Sequence, residues 1–231
     1  MKTIGLIGGM SWESTQVYYR VMNEAVKSAL GGYHSAKCIL VSVDFAEVET
    51  PQQLGDWRKV GELLSDAARR LADAGADFVL LGTNTMHEVA DEIQRAIPVP
   101  LVHIADAAAD ALIKRGVKTV GLLGTRHTMT RPFYRERLEA RGITVLLPGA
   151  EDMDIVHSVI FDELCLGILA DSSRREYARI AQALNSRGAQ GILMGCTEIG
   201  LLLSQADTSV PLFDTAVIHA MKAARLALEG V

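Results

Sequence analysis

The chain has 231 residues, 49% hydrophobic and 22% charged, with a formal net charge of -5 from 23 basic and 28 acidic residues. That apolar content is enough to offset the ordering entropy of a core, which excludes a disordered chain, and the length suits one large or two small domains. The basic residues are interspersed with acidic ones and form no stripe able to displace phosphate counterions, so no nucleic-acid partner is expected. No apolar stretch reaches membrane-spanning length and Met1 leads straight into a strand, so a cytoplasmic protein with no membrane partner is predicted. The cysteines, Cys38, Cys165 and Cys196, are odd in number and widely spaced, which suits a reducing compartment without a disulfide framework.

Along the chain, Thr3 to Ile7 is a short apolar run closed by Gly8 and Gly9, and Val17, Val21, Met22 and Val26 then follow with helical spacing. The pattern predicts strand, tight turn, helix. Ile39 to Phe45 reads as a second strand, and Trp57 to Leu71 as a helix with the apolar face Val60, Leu63, Leu64, Ala67 and Leu71. Phe78 to Leu81 reads as a third strand, and Val217 to Leu228 as the final helix. Such connections suit a mostly parallel sheet covered by helices.

An internal repeat carries more information than any single element. Lys2-Thr-Ile-Gly-Leu-Ile-Gly8 aligns with Lys118-Thr-Val-Gly-Leu-Leu-Gly124, and Gly75-Ala-Asp-Phe-Val-Leu-Leu-Gly-Thr83 with Gly188-Ala-Gln-Gly-Ile-Leu-Met-Gly-Cys196. A third pair sets Val99-Pro-Leu-Val-His103 against Val210-Pro-Leu-Phe-Asp214. Three blocks in one order at nearly constant separation indicate duplication more than shared strand composition. The expected architecture is α/β, with two pseudo-symmetric domains of mostly parallel strands and an active site in the cleft between them. The first domain is expected to hold residues 1-98 plus 211-231 and the second 99-210.

Parallel sheets bind ligands beyond the carboxyl ends of their strands. Cys196 follows the strand Ile192 to Met194 at such a point, where exposure and backbone donors favour a thiolate; the alternative is a small buried hydrophobe, the reading preferred for Cys38 and Cys165. The equivalent position in the first half is Thr83. Thr85 and Glu88 have capping-box spacing, so a helix is expected to begin there, and Thr83, Asn84, Thr85 and Thr197 offer donors for a carboxylate, with capping as their plain role. The GxGxxG fingerprint, a phosphate loop, HExxH and paired CxxC are all missing from the sequence, and His87, His103, His127 and His157 are too dispersed to specify a metal. Chemistry without a cofactor or metal is the economical reading.

Five motifs together resemble the aspartate/glutamate racemase family over nearly the whole chain: Gly8-Gly-Met-Ser-Trp-Glu13, Thr83-Asn-Thr-Met-His87, Gly124-Thr125 with Thr128-Met129, Gly195-Cys-Thr-Glu198, and Phe213-Asp-Thr215. The resemblance implies a cofactor-independent isomerase that moves the α-proton of aspartate or glutamate and assembles as a homodimer. It implies Cys196 and Thr83 as the catalytic pair, and Met10, Gln52, Asn84, Thr85, Thr125, Thr128, Thr197 and Glu198 around the substrate.

Members usually carry a cysteine where this chain has Thr83, whose hydroxyl is far less acidic than a thiol. Thr83 is therefore expected to donate a proton or orient water, with unequal initial rates in the two directions. Acid-selective members look to hold the distal carboxylate with basic residues near Gln52 and Leu166, neither of which is basic here, so a broader amino-acid range is expected. Arg126 or Arg131 supplies replacement charge or is solvated surface. The rival readings are a related decarboxylase or maleate-type isomerase, and a non-catalytic small-acid binding protein.

Overall fold

Continuous apolar runs become buried parallel strands. In the computed structural model, which describes residues 1–230, β1 (Ile4–Gly8) is buried at every position and pairs in parallel with β2 (Cys38–Ser42) and β3 (Phe78–Leu81). β3 in turn pairs with β4 (Leu101–Val102), giving the order β2-β1-β3-β4. A second sheet of β5 (Thr119–Gly124), β6 (Thr144–Leu146), β7 (Ile192–Gly195) and β8 (Leu212–Asp214) has the order β6-β5-β7-β8. The three repeated sequence blocks are β1 and β5, β3 and β7, β4 and β8, so the sequence repeat is a repeat of fold.

Ala105–Ile218 forms one unit; the chain up to Ile104, with the chain from His219 onward, forms the other. Pairing keeps β4 with β3 and β8 with β7, so both crossings fall later in the chain than the sequence divisions at 98/99 and 210/211. The helices are α1 (Trp12–Leu30), α2 (Phe45–Gln53), α3 (Trp57–Asp73), α4 (Ala90–Ala96), α5 (Ile104–Lys114), α6 (Arg126–Thr130), α7 (Pro132–Glu139), α8 (Ala150–Asp162), α9 (Asp171–Ser186), α10 (Ile199–Leu202) and α11 (Thr215–Leu228). No helix of the described residues is long and apolar enough to cross a membrane.

In the first unit α3 buries Val60, Leu64, Ala67 and Leu71 in one cluster with Ile7, Val79 and Leu81. Each fully buried Val, Leu or Ile side chain contributes about 1.5–3 kcal/mol. Leu63, expected on the same face, is only half-buried. The strand expected to run to Phe45 stops at Ser42, because the Asp44 carboxylate accepts the Ala46 N–H at 3.1 Å and opens α2. Gly9, at φ 94°, turns β1 into α1, and a Cβ there would lie 2.1 Å from the Val43 carbonyl oxygen.

His219 ties α11 to the first unit. Its Nε2 donates to the Val102 carbonyl at 2.8 Å, and its Nδ1 accepts from the Tyr18 hydroxyl at 2.8 Å. Burial holds its pKa down to about 4, from an ordinary 6.5. The unfolded chain therefore binds the extra proton first, so this contribution is full above pH 6.5 and is lost as pH falls toward 4. Urea melts are expected to show about 3 kcal/mol of acid destabilisation from this group. His219→Gln, which does not titrate, is expected to lose that part of the slope; an unchanged slope would count against it.

Candidate active site

Thr83 and Cys196 occupy corresponding positions, each two residues beyond Leu81 in β3 or Met194 in β7. In the second unit, β5 and β7 run close together at their carboxyl ends, where a Cβ on Gly124 would lie 2.9 Å from the Gly195 carbonyl oxygen. Thr125 caps α6 by accepting the Thr128 N–H at 3.2 Å, and the Thr128 side chain packs beside Gly124 and Gly195. Thr125 and Thr128 are thereby brought to the strand end that carries Cys196.

The Cys196 thiol donates to Glu198 Oε2 at 3.0 Å, and the Thr197 hydroxyl donates to the same oxygen at 2.9 Å. All three side chains are buried. The exposed, thiolate-favouring environment expected from sequence is not what forms. Burial, and after it the Glu198 carboxylate, push the thiol pKa well above its ordinary value, against a smaller opposite effect of the Glu198 backbone N–H. The reason is local: α10 spans only four residues and its N-cap is Glu198, so the sulfur meets a carboxylate at the helix start. The arrangement is a thiol with a proton acceptor in contact. Behind it, burial raises the pKa of Asp214, whose carboxylate accepts the Val217 N–H at 3.1 Å.

In the first unit, Gly82 donates to the Ile7 carbonyl at 2.9 Å and the Thr83 N–H to the Leu81 carbonyl at 2.9 Å. Thr85–Val89 forms a 3-10 turn, and the α-helix begins only at Ala90, so the capping box expected from Thr85 and Glu88 does not open an α-helix. The turn is instead closed by the His87 N–H to the Asn84 carbonyl at 3.1 Å and by the His87 ring, whose Nδ1 lies 2.7 Å from the Thr83 carbonyl oxygen. Thr83, Asn84 and Thr85 are buried together at this strand end. Met10 is buried in the apolar cluster of the first unit, and Gln52 is half-buried on α2.

Arg126 forms an ion pair with Asp154, both side chains being exposed. Leu166 is 68% exposed. Sequence spacing missed the grouping of His87 with His103 and His219, whose ring centroids lie 4.3 and 6.1 Å from that of His87. Among the described residues no group of three or more His, Cys, Asp or Glu is arranged to hold a metal ion.

Two parallel sheets of matching order, with a thiol–carboxylate pair after the third strand of one and a threonine at the same step of the other, define a duplicated α/β fold. The chain belongs to the Asp/Glu/hydantoin racemase family, whose profile it matches over residues 7–223, and it is an isomerase of the amino-acid racemase kind. It is similar to a structure from Yersinia pestis assigned provisionally as an Asp/Glu racemase, with 54% identity, coverage of 99% of this chain and 100% of the other, and a TM-score of 0.92. An aspartate racemase homologue from Pyrococcus horikoshii OT3 is 39% identical, with 98% and 99% of the chains covered and a TM-score of 0.85. The broad specificity amino-acid racemase RacX of Bacillus subtilis is 24% identical over 70% of this chain and 69% of its own length.

Proposed function

We propose that the protein racemises aspartate or glutamate without a cofactor, with Cys196 serving the α-proton of the L-enantiomer and Thr83 the opposite face. The observation that carries this reading is the 3.0 Å contact between the Cys196 thiol and Glu198. The thiol passes its proton to Glu198, the thiolate takes the α-proton, and the substrate carbanion receives a proton on its other face from Thr83 or from water that Thr83 orients. Glu198 then releases its proton to solvent and the donor on the Thr83 side regains one from solvent, which closes the cycle. Met10, Gln52, Asn84, Thr85, Thr125, Thr128 and Thr197 surround the substrate in this reading. The name of the Pyrococcus relative supports aspartate; that of the Bacillus relative, with neutral Gln52 and Leu166, supports a range extending to neutral amino acids. The reading includes a cytoplasmic homodimer, which family membership supports and light scattering tests for assembly.

The test follows deuterium uptake and enantiomer formation separately in heavy water, over aspartate, glutamate and several neutral amino acids. Thr83→Ala is expected to keep α-proton exchange from the L-enantiomer while racemisation falls about a hundredfold, within the usual contribution of a positioned acid. Thr83→Cys is expected to raise kcat for the D-enantiomer relative to the L-enantiomer, while equilibrium still fixes the ratio of the two kcat/KM values. Absence of exchange and racemisation across the whole panel in the wild-type protein would defeat the reading.

A further inference from the structure

His87 lies beneath the strand end that carries Thr83 and is 2% exposed. Its Nδ1 is 2.7 Å from the Thr83 carbonyl oxygen, and its Nε2 is 3.2 Å from the Ile104 backbone nitrogen. A carbonyl only accepts and a backbone N–H only donates, so Nδ1 must carry the proton and Nε2 must offer its lone pair. Both contacts are satisfied by one neutral tautomer. The ring is also held in place sideways, with the buried His103 and His219 rings around it. Ile104 is the last residue of the first unit before the chain crosses to the second. One imidazole thus joins the carbonyl of Thr83 to the backbone at that crossing.

We propose that His87 is a positioning residue, which fixes the Thr83 backbone, and with it the Thr83 hydroxyl, by bridging the Thr83 carbonyl to the Ile104 N–H. The inference rests on the reading that Thr83 serves one face of the substrate and Cys196 the other. On its other side Thr83 is held by its own N–H, which closes a tight turn back to Leu81. Displacement of a reacting group by about 1 Å commonly costs up to about a hundredfold in rate. The loss should therefore fall on the step that needs Thr83 and spare the exchange that needs only Cys196.

The two ring nitrogens can be replaced separately. In His87→Asn the side-chain amide reaches the place of Nδ1 and donates to the Thr83 carbonyl; in His87→Gln the side-chain oxygen reaches the place of Nε2 and accepts from Ile104. With the best substrate of the panel above, His87→Gln is expected to lower the ratio of racemisation to L-substrate exchange about tenfold or more, and His87→Asn to restore most of it. A ratio unmoved in His87→Gln, or moved equally in both variants, would overturn the positioning role. Thr83→Ala in the same assay separates the two ideas: if it moves the ratio and His87→Gln does not, His87 alone is misassigned, whereas if it leaves the ratio unmoved the proton-transfer reading fails and the inference with it. Nitrogen NMR of the wild-type protein needs no variant to fold. It is expected to show His87 protonated at Nδ1, and protonation at Nε2 alone would overturn the proposal.

Discussion

Cys196→Ser is expected to lower α-proton exchange from the L-enantiomer by about 10³- to 10⁴-fold, at the upper end of what a positioned acid–base group contributes. Serine preserves the size of the side chain and its ability to donate to Glu198, so the buried strand end is expected to stay folded with an almost unchanged melting temperature. What changes is intrinsic acidity, since a serine hydroxyl holds its proton far more tightly than a thiol. Racemisation is expected to fall with exchange, because inversion begins with removal of the α-proton. Deuterium uptake into the L-substrate in heavy water checks this directly, and undiminished uptake would reject Cys196 as the base.

Glu198→Gln separates a proton acceptor from a substrate ligand. In the wild-type protein, burial and the neighbouring carboxylate keep Cys196 a thiol near neutral pH, so something must take its proton before it can act. Glu198 Oε2 is in contact to do so. Glutamine preserves the shape but removes the acceptor, and kcat/KM near pH 7 is expected to fall about 10²- to 10³-fold. Loss of the negative neighbour also lets the thiol pKa drop below its wild-type value, although burial still holds it up. The residual activity of the variant is therefore expected to rise about tenfold per pH unit above neutrality, as solvent alone generates the thiolate, with a shallower wild-type profile. A raised KM with an unchanged pH profile would return Glu198 to the substrate-contacting role that the family resemblance implies.

The sequence made the central strands legible because they combine local and repeated signals. Phe78–Leu81 is an unbroken apolar run between Gly75 and Gly82, and the matching run before Cys196 marks its counterpart. α2 was not legible: the β-branched and aromatic run continues to Phe45, and only the Asp44 cap marks where strand pairing ends. At the site, position was readable and environment was not. The step after β7 identified Cys196, but its protonation depends on where the Glu198 side chain turns and on burial, neither of which spacing encodes. The histidines show the same limit, since His87, His103 and His219 meet only through the tertiary fold.

The return of the chain through α11 makes the order of synthesis matter. Ala105–Ile218 is contiguous and has all of its strands and helices once Ile218 has been made, so it can fold as a single uninterrupted block. The first unit has no such option: the bond from Tyr18 to His219 joins residues separated by 201 positions, and it waits for almost the entire chain. Closing so long a loop delays that contact relative to the local ones. The half begun first on the ribosome is thus completed last, and pulse-labelled hydrogen exchange during refolding is expected to show α11 protected after β5 and β7.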